Sequence, residues 1–464
     1  MMTIPLFEAM VAVGGRSNQP VSPADYVHFV TQDSREVKEG TLFVALKGQR
    51  ADGHDFIREA EKQGAVAAVV EHEIAGVRIP QFIVPSSVPA LGDLARIWRG
   101  RLNIPVVAVT GSVGKTSTKE LIAYVLDAKF NTHKSRKNFN NEIGLPTELM
   151  NLDGNHQCSV VEFGMRNLNQ INYLSRIARP NISVITNIGM SHIEILGSRE
   201  NIAKAKAEIL EGMDSEGILI INRDDDFYDY IKSRAHCKVI SFGTNPDADV
   251  CISDVQLDEK ANPGFKLNGF PMEMKNSVGK HPVYNAAAAY AVAIQMGVNP
   301  EDIADRLATF SAPDRRGSFS RSANGALLLD NTYNAAPDSI QSSLHTLSEL
   351  ARNGKRTIAV IGEMLELGAY SEEAHRQIGK IIAGMNEPEL LVTVGKNTKL
   401  TGEEAHRKHW KHFEDAASAA QYLSEEVTGD DIVLLQGSNG VRLDLVVETL
   451  TQPKAAGKFI LLHK

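Results

Sequence analysis

The sequence predicts an α/β fold of three domains, and three observations support that prediction. The chain has 464 residues, and at roughly 100–200 residues per domain this length suggests about three domains. Short apolar runs alternate with segments of helical periodicity, a pattern typical of βαβ units and mainly parallel sheets. The alternation starts anew near residue 313. We therefore predict a small N-terminal α/β domain (1–103), a central domain with a mainly parallel sheet (104–312) and a C-terminal Rossmann-like α/β domain (313–464).

The position of each apolar run fixes the predicted elements. The predicted strands are the runs at 41–46, 65–70, 104–109, 159–161, 182–185, 217–221, 326–329, 357–361, 390–394 and 432–435. The predicted helices include those at 55–63, 115–128, 284–296 and 301–310. Short alternating strands over 250–275 indicate an antiparallel addition to the central sheet. Each strand of the last domain precedes a helix-like segment, as expected for a second, independent α/β unit.

Composition narrows the classes of function. Lys and Arg number 49 against 57 Asp and Glu, which gives a net charge of −8 and argues against a general nucleic-acid binder. The three cysteines form no CxxC pair, which favours a reducing compartment. The first residues lack the basic segment that begins a signal peptide, so none is predicted. No run approaches the 18 apolar residues that a membrane-spanning helix needs. We expect a cytoplasmic protein without a membrane span or nucleic-acid partner, and a monomer, since nothing indicates an obligate oligomer.

The strongest local signal is a glycine loop, TGSVGKT at 110–116, between an apolar run and a helix-like segment. In such a loop the backbone N–H groups and the helix N-terminus bind phosphates, the lysine neutralises them, and the hydroxyl ligates Mg²⁺. The strict pattern requires glycine where Val109 stands, so the loop is a shortened one, and the alternative is a glycine-rich turn. We predict ATP or GTP binding in a P-loop ATPase-type central domain, with these nucleotide-binding residues: Gly111, Ser112, Val113, Gly114, Lys115, Thr116 and Ser117.

Three other residues of the central domain are candidates for metal chemistry. Glu162 follows an apolar run, so it lies at the carboxyl end of a predicted strand, and with Thr116 it offers the oxygen ligands that Mg²⁺ prefers. Its alternative is a solvated glutamate at a strand end. His192 follows another strand end, where a lone histidine is more often a satisfied polar residue than a ligand. Lys206 by itself has the pattern of a solvated charge on a helix.

Together these residues resemble the Mur ligase family, the ATP-dependent amide-forming enzymes of peptidoglycan synthesis. The glycine loop, Glu162, the TNIG segment before His192 and the AKAEI segment around Lys206 occur in the family's order. The family's own loop is TGxxGK[TS], so the missing first glycine is expected. The resemblance implies two Mg²⁺ ions and a carbamylated Lys206 that acts as a metal ligand beside Thr116, Glu162 and His192. It also implies catalytic roles for Lys115, Glu162, His192 and Lys206.

Motifs from about residue 30 to about 450 resemble the MurF type of that family. They are DSR at 33–35, FVALKG at 43–48, DGHDF at 52–56, NFNNEIGLP at 138–146, NTYNAAPDS at 331–339, and MLELG at 364–368 followed by Ser371 and His375. Members of this type join D-alanyl-D-alanine to UDP-N-acetylmuramoyl-tripeptide through an acyl phosphate. The resemblance implies that the UDP-sugar peptide is bound by Ser34, Arg35, Lys47, Gly53, His54, Asn138, Asn140 and Asn141. It implies that Tyr333 and Asn334 lie on the dipeptide side, and that ATP is also bound by Asn285, Arg316 and Asp330, with His281 beside Asn285.

Departures from the type leave alternatives open. Gln436 and Asn439 stand where it usually has Lys and Arg, and Arg315 and Arg316 follow Asp314 where a Gly-Arg pair is usual. Another Mur or folylpolyglutamate-type ligase with a different amine is one alternative, although the DNPR-type motif of the tripeptide-forming relative is not found. A P-loop ATPase or switch is the other. The third residue of the tripeptide, lysine or diaminopimelate, is not readable from the sequence.

Overall fold

Three consecutive parts of the chain each form their own sheet in the computed structural model, which describes residues 2–136, 138–351 and 354–452. The sheets have five, nine and six strands. Helices pack against each of them, so the α/β prediction is confirmed. No helix among these residues has the length and apolar character needed to cross a bilayer.

The N-terminal part contains a sheet with the strand order β2-β7-β6-β5-β4 and a separate pair, β1 and β3. Its strands are β1 (Ile4–Pro5), β2 (Arg16–Ser17), β3 (Tyr26–Val27), β4 (Phe29–Thr31), β5 (Thr41–Val44), β6 (Ala65–Val70) and β7 (Gln81–Ile83). Its helices are α1 (Leu6–Ala12), α2 (Ile57–Lys62) and α3 (Ser87–Arg101). From β4 to β7 the strands are parallel, and every residue of β5 is buried.

The central part contains the nine-stranded sheet, ordered β16-β15-β14-β13-β12-β11-β8-β10-β9. Its strands are β8 (Val106–Thr110), β9 (Thr132–Lys134), β10 (Cys158–Glu162), β11 (Ile182–Ile185), β12 (Ile218–Asn222), β13 (Lys238–Gly243), β14 (Val250–Leu257), β15 (Pro263–Leu267) and β16 (Phe270–Glu273). Its helices are α4 (Lys115–Leu126), α5 (Gly144–Met150), α6 (Gln170–Ala178), α7 (Ile193–Leu196), α8 (Arg199–Ala207), α9 (Tyr228–Lys232), α10 (His281–Gln295) and α11 (Pro300–Thr309). Strands β14 to β16 pair antiparallel, as predicted for 250–275.

The C-terminal part contains the sheet ordered β17-β18-β22-β19-β20-β21, in which only β17 is antiparallel. Its strands are β17 (Ser318–Arg321), β18 (Leu327–Asn331), β19 (Thr357–Gly362), β20 (Leu390–Val394), β21 (Trp410–Phe413) and β22 (Ile432–Gln436). Its helices are α12 (Pro337–Leu350), α13 (Ser371–Ala383), α14 (Thr398–Ala405), α15 (Ala416–Glu426) and α16 (Asp444–Thr451).

Hydrogen bonds link the N-terminal and the C-terminal part to the central part. From α3, the Trp98 indole donates to Leu152 O at 2.9 Å and Arg99 Nε donates to Ala178 O at 2.9 Å. From the C-terminal part, Tyr370 Oη donates to Gly197 O at 2.9 Å. The predicted borders at 103/104 and 312/313 fall between sheets, and they stay a prediction.

His133 makes the stability of the central domain sensitive to acid. It lies in β9 with its Nδ1 3.0 Å from Ser159 Oγ. Burial, then the charges of His156, Arg136 and Lys119, lower its pKa from 6.5 to about 4. Between these two values the unfolded chain binds a proton that the folded chain does not, so stability rises with pH and falls on acidification.

We therefore expect His133→Gln to flatten the pH dependence of the unfolding free energy. At pH 5 the penalty removed is about 2 kcal/mol relative to pH 7, because one pKa unit corresponds to about 1.4 kcal/mol. Urea titrations at the two pH values measure it. Equal acid sensitivity in the variant and the parent would contradict the assignment.

Candidate active site

The glycine loop connects the buried strand β8 to the N-terminus of α4. Gly111 has φ +147°, and a Cβ there would lie 1.9 Å from Thr186 Oγ1, so only glycine fits. Gly114 has φ +82° in the left-handed region and immediately precedes α4. The loop thus turns sharply onto a helix N-terminus, which is a favourable place for an anion.

A second loop supports the first. Ser112 N–H donates to Asn187 O at 3.0 Å, and Val113 N–H donates to Asn187 Oδ1 at 2.9 Å. Thr186 Oγ1 donates to Val113 O at 2.6 Å. Thr186 and Asn187 belong to the TNIG segment, and the sequence analysis did not single them out as supports of the glycine loop. Their position directly after β11, adjacent to β8 in the sheet, is the signal that would have found them.

Lys115 reaches back over the loop that precedes it. Its Nζ donates to Gly111 O at 2.8 Å and to Ser112 O at 3.1 Å. Burial lowers the pKa of its amine, Glu162 opposes that effect, and Arg316 adds to it. A cation held against the glycine loop is in position to neutralise a phosphate bound there.

Glu162 ends β10 and is only 2% exposed. Its Oε2 accepts from Thr116 Oγ1 at 2.6 Å, and its Oε1 accepts from Asn140 Nδ2 at 2.8 Å. Two residues from separate predicted motifs therefore meet at the Glu162 carboxylate. The sequence predicts that Thr116 and Glu162 together ligate Mg²⁺, and in the structure these two side chains are in direct contact.

His192 precedes α7 in a left-handed conformation with φ +67°. Burial, followed by the charges of Lys115, Lys206 and Arg166, lowers its pKa to about 3. The imidazole is consequently neutral at physiological pH, which is the form that ligates metals.

Lys206 is buried, which corrects its interpretation as a solvated helix charge. It is 1% exposed, and among the described residues its Nζ has no hydrogen-bond partner. Burial and then the charge of Lys115 lower the pKa of this amine well below its usual value. The helical period explains the burial, because Ile202 lies four residues before Lys206 and is buried on the same face. An amine is costly to bury without a partner, and burial favours its unprotonated, nucleophilic form.

A cavity of about 730 Å³ joins the central and C-terminal parts. Predicted site residues that line it are 112–117, Asn138, Asn140, Asn141, Glu162, His192, Asn285, Arg316, Tyr333 and Asn334. Lining residues that the prediction did not include among the site residues are Arg166, Arg315, Glu366, Gln436 and Asn439, among others. The structure thus brings the glycine loop, the buried carboxylate and the C-terminal motifs around one space.

A smaller cavity of about 200 Å³ lies beside the first, and His281 and Asn285 line both. Phe242 and Tyr284 add aromatic walls, a setting suited to a flat base. Asn285 Oδ1 accepts from Thr118 Oγ1 at 3.1 Å. Arg316 stacks over the Tyr333 ring, with its guanidinium carbon 3.8 Å from the centroid.

Asp330 and Lys206 are not among the residues that line the larger cavity. Asp330 is 7% exposed, and its Oδ1 accepts from the Thr332 N–H at 2.9 Å and from Thr332 Oγ1 at 2.7 Å. In this arrangement the carboxylate braces the turn that follows β18.

The predicted residues of the N-terminal part do not line either cavity described above. Ser34 and Arg35 lie in a short 3₁₀ turn, and Arg35 pairs with Asp33 while 86% of its side chain stays exposed. Thr147 Oγ1 donates to Gln32 Oε1 at 3.4 Å, which brings this turn close to α5. The turn is therefore adjacent to the helix that follows the Asn138–Asn141 segment.

His54 and Gly53 hold a loop of the N-terminal part together. His54 Nε2 accepts the Glu71 N–H at 2.9 Å, so its Nδ1 carries the proton and donates to Asp52 at 2.6 Å. Lys47 pairs with Asp52 across the loop in an isolated β-bridge. Both ring nitrogens of His54 are engaged within the protein.

Gly53→Ala is expected to destabilise the N-terminal part by about 1–3 kcal/mol, the usual cost of overpacking. A Cβ at Gly53 would lie 2.6 Å from Leu46 N and 2.9 Å from Ala45 Cα, both rigid backbone atoms. Thermal unfolding measures the effect. Gly100→Ala in α3 is the control, since a Cβ there meets nothing within 4 Å. A melting temperature of Gly53→Ala equal to that of the control would contradict the prediction.

Comparison with known proteins decides the family. The Mur ligase middle domain matches residues 109–293, the "Mur ligase, glutamate ligase domain" matches 315–439, and the "Mur ligase family, catalytic domain" matches 26–99. A UDP-N-acetylmuramoyl-tripeptide–D-alanyl-D-alanine ligase of Bacillus subtilis (strain 168) is 33% identical over 95% of this chain and 96% of its own. The chain belongs to the Mur ligase family, MurF type. A ligase of the same name from Synechocystis is 36% identical over 91% of this chain and 92% of its own.

Solved MurF structures have the same fold as this Mur ligase. MurF from Acinetobacter baumannii superposes with a TM-score of 0.89 at 29% identity, covering 97% of this chain and 99% of that one. MurF from Thermotoga maritima, in complex with ADP, gives a TM-score of 0.82 at 30% identity, covering 91% and 96%. The resemblance inferred from the motifs and the three-domain α/β fold are both confirmed.

Proposed function

We propose that this Mur ligase joins D-alanyl-D-alanine to UDP-N-acetylmuramoyl-tripeptide with ATP, giving the UDP-linked pentapeptide precursor of peptidoglycan. The observation that carries the proposal is the larger cavity. There the glycine loop with Lys115 and the buried Glu162 face Tyr333 and Asn334 of the C-terminal part. The full-length relatives that carry this ligase name support it.

In this proposal ATP occupies the two adjacent cavities. The glycine loop and the N-terminus of α4 bind its phosphates, and Lys115 turns from the loop carbonyls to the β- and γ-phosphates. The smaller cavity takes the base between Phe242 and Tyr284, beside Asn285. Arg316 reaches the phosphates or ribose from the C-terminal part, and the predicted contact of Asp330 with ATP requires the turn after β18 to move.

The residues around Glu162 suit Mg²⁺. Thr116 and Glu162 supply oxygen ligands, the neutral His192 supplies a nitrogen, and the orphaned Lys206 amine can add CO₂, releasing one proton and forming a carbamate. This donor set would hold the two ions that the family resemblance implies. When bound, such cations neutralise charge on the transferring phosphoryl group and let two anions approach each other.

The proposed reaction consists of two substitution steps, each of which forms one bond and breaks another. A terminal carboxylate oxygen of the tripeptide attacks the γ-phosphorus, the bond to the β,γ-bridging oxygen breaks, and ADP leaves. The dipeptide amine then attacks the acyl carbon, the bond to phosphate breaks, and the proton that the amine loses passes to the departing phosphate. Lys115 stabilises the charge of the first step, and Asn138, Asn140 and Asn141 orient the acyl arm. The cavity between the domains keeps water from the acyl phosphate.

Phosphate release tests the function directly. With ATP, Mg²⁺ and the UDP-tripeptide, we expect release to require D-alanyl-D-alanine, and mass spectrometry to show the pentapeptide. Release that ignores both substrates would support an ATPase instead. Dependence on the UDP-sugar with another preferred amine would keep the ligase class and change the acceptor.

Finer points belong to the same proposal. The Ser34–Arg35 turn, Lys47, Gly53 and His54 form the part of the N-terminal domain that holds the UDP-sugar, in the case of His54 by bracing its loop. The enzyme acts as a monomer in the cytoplasm, where ATP is available. Light scattering coupled to gel filtration tests the oligomeric state.

A further inference from the structure

The MLELG motif at 364–368 has no role in the mechanism above, yet it reaches the active site. Glu366 lines the larger cavity although it belongs to the C-terminal part. Its Oε2 lies 2.9 Å from Nδ1 of His192, and its Oε1 lies 3.5 Å from an Arg166 nitrogen. Both of these partners belong to the central part.

The loop that carries Glu366 is held in a defined shape. His375 Nε2 accepts the Met364 N–H at 3.2 Å, and Ser438 Oγ accepts the Leu365 N–H at 3.0 Å. Glu366 itself adopts φ +63°, a left-handed conformation that is unfavourable for a residue with a Cβ. A conformation of this kind persists where the surroundings impose it, and such sites cluster at functional positions.

The same loop docks on the central part. Gly368, with φ +51°, packs so closely on Glu194 that an added Cβ would lie 2.6 Å from its Cγ. Tyr370 Oη donates to Gly197 O at 2.9 Å. These contacts lie on either end of α7, the helix that His192 precedes. The loop therefore packs against α7, the helix that His192 immediately precedes.

The imidazole of His192 needs the partner that Glu366 offers. Its Nδ1 is buried and has no hydrogen bond of normal geometry among the described residues, although Glu366 Oε2 lies 2.9 Å away. Hydrogen bonds of this kind tighten when the ligands bind. A metal-ligating histidine almost always donates its other ring N–H to an outer group such as a carboxylate, which fixes its tautomer and orientation.

We infer that Glu366 is a positioning residue that accepts the Nδ1–H of His192 and so leaves Nε2 for the metal. This inference rests on the function proposed above. Arg166 holds the second carboxylate oxygen. Because Glu366 comes from the C-terminal domain, His192 has this outer partner only when that domain is docked.

Binding of Mn²⁺ together with a non-hydrolysable ATP analogue, followed by electron paramagnetic resonance, tests the pair without requiring turnover. We expect Glu366→Ala to weaken at least one bound ion by roughly 10–100-fold, the usual effect of losing such an outer partner. Glu366→Gln keeps an oxygen acceptor and a similar shape, so it should recover most of that affinity. In turnover, kcat of Glu366→Ala should fall by a similar factor while the KM for ATP changes by less than about threefold.

Glu372→Gln is the matched control, since it removes an exposed carboxylate of α13 in the same domain, outside both the cavity and the contact with α7. It should bind Mn²⁺ like the parent enzyme. Unchanged Mn²⁺ affinity in Glu366→Ala, or an equal loss in Glu372→Gln, would overturn the inference. If the parent enzyme binds Mn²⁺ but makes no pentapeptide, the proposed function fails while the Mn²⁺ comparison still decides the role of Glu366.

Discussion

Replacing Lys115 by Met is expected to lower kcat by a factor on the order of 10²–10³, the loss that follows removal of one group that stabilises transition-state charge. The amine already lies within 2.8 Å of Gly111 O, so it stands at the phosphate loop before any ligand arrives. Met keeps the length of the stem and removes the charge. Steady-state rates of pentapeptide formation measure the effect, with ATP binding followed separately.

Lys134→Met is the matched control for this substitution. Lys134 is an exposed lysine that pairs with Glu120 at 2.6 Å, and surface pairs of this kind contribute little. Its variant should keep the parent rate. If Lys115→Met retained more than about a tenth of the parent kcat, the assignment of Lys115 to the transferring phosphoryl group would be wrong.

The parts of the fold that were predictable are those in which burial leaves a continuous apolar run. Strands β8 and β19 are buried at every position, and in parallel sheets covered on both faces such strands lose the alternating pattern. Short edge strands escaped prediction for the opposite reason. Strand β9 has the sequence THK and β21 has WKHF, since a strand at the edge of a sheet tolerates polar and charged residues and so lacks a continuous apolar run. The predicted helix at 55–63 is a 3₁₀ turn followed by the short helix α2.

The candidate site was predictable where a motif imposes its own local geometry. The glycine loop is an example, because its turn onto α4 places Gly114 at φ +82°, a conformation that glycine adopts without strain. Contacts across the chain carry no such local signal. Nothing in the residues near Glu366 shows that it meets His192, since the meeting depends on how two domains dock.

His54 shows the limit of transferring a motif residue by residue. The DGHDF segment is present, but both ring nitrogens of His54 are used by Asp52 and the Glu71 N–H. A motif residue that braces a binding loop and one that touches the ligand look the same in a sequence. Only hydrogen-bond partners separate the two roles.

Lys206→Ala is expected to lower the rate of pentapeptide formation by about 10²–10³-fold, since it removes a group required at the transferring phosphoryl. Formate or acetate should restore part of the activity by occupying the vacated space with a carboxylate. Lys206→Met fills that space, so it should be equally inactive and not respond to either anion. Labelling with ¹³C-bicarbonate should give a carbamate resonance in the parent and none in Lys206→Met.

Lys204→Ala separates this effect from a general requirement for charge on α8. Lys204 lies two residues earlier on the same helix and is exposed, so it has ordinary access to solvent and no route to the cavity. Its variant should retain full activity and the carbamate signal. Full activity in Lys206→Ala would show that this residue is not part of the metal site. The buried amine would then destabilise the folded protein without serving catalysis. That outcome would predict a more stable Lys206→Met, because an unpaired amine in an apolar site costs more than a thioether of similar size.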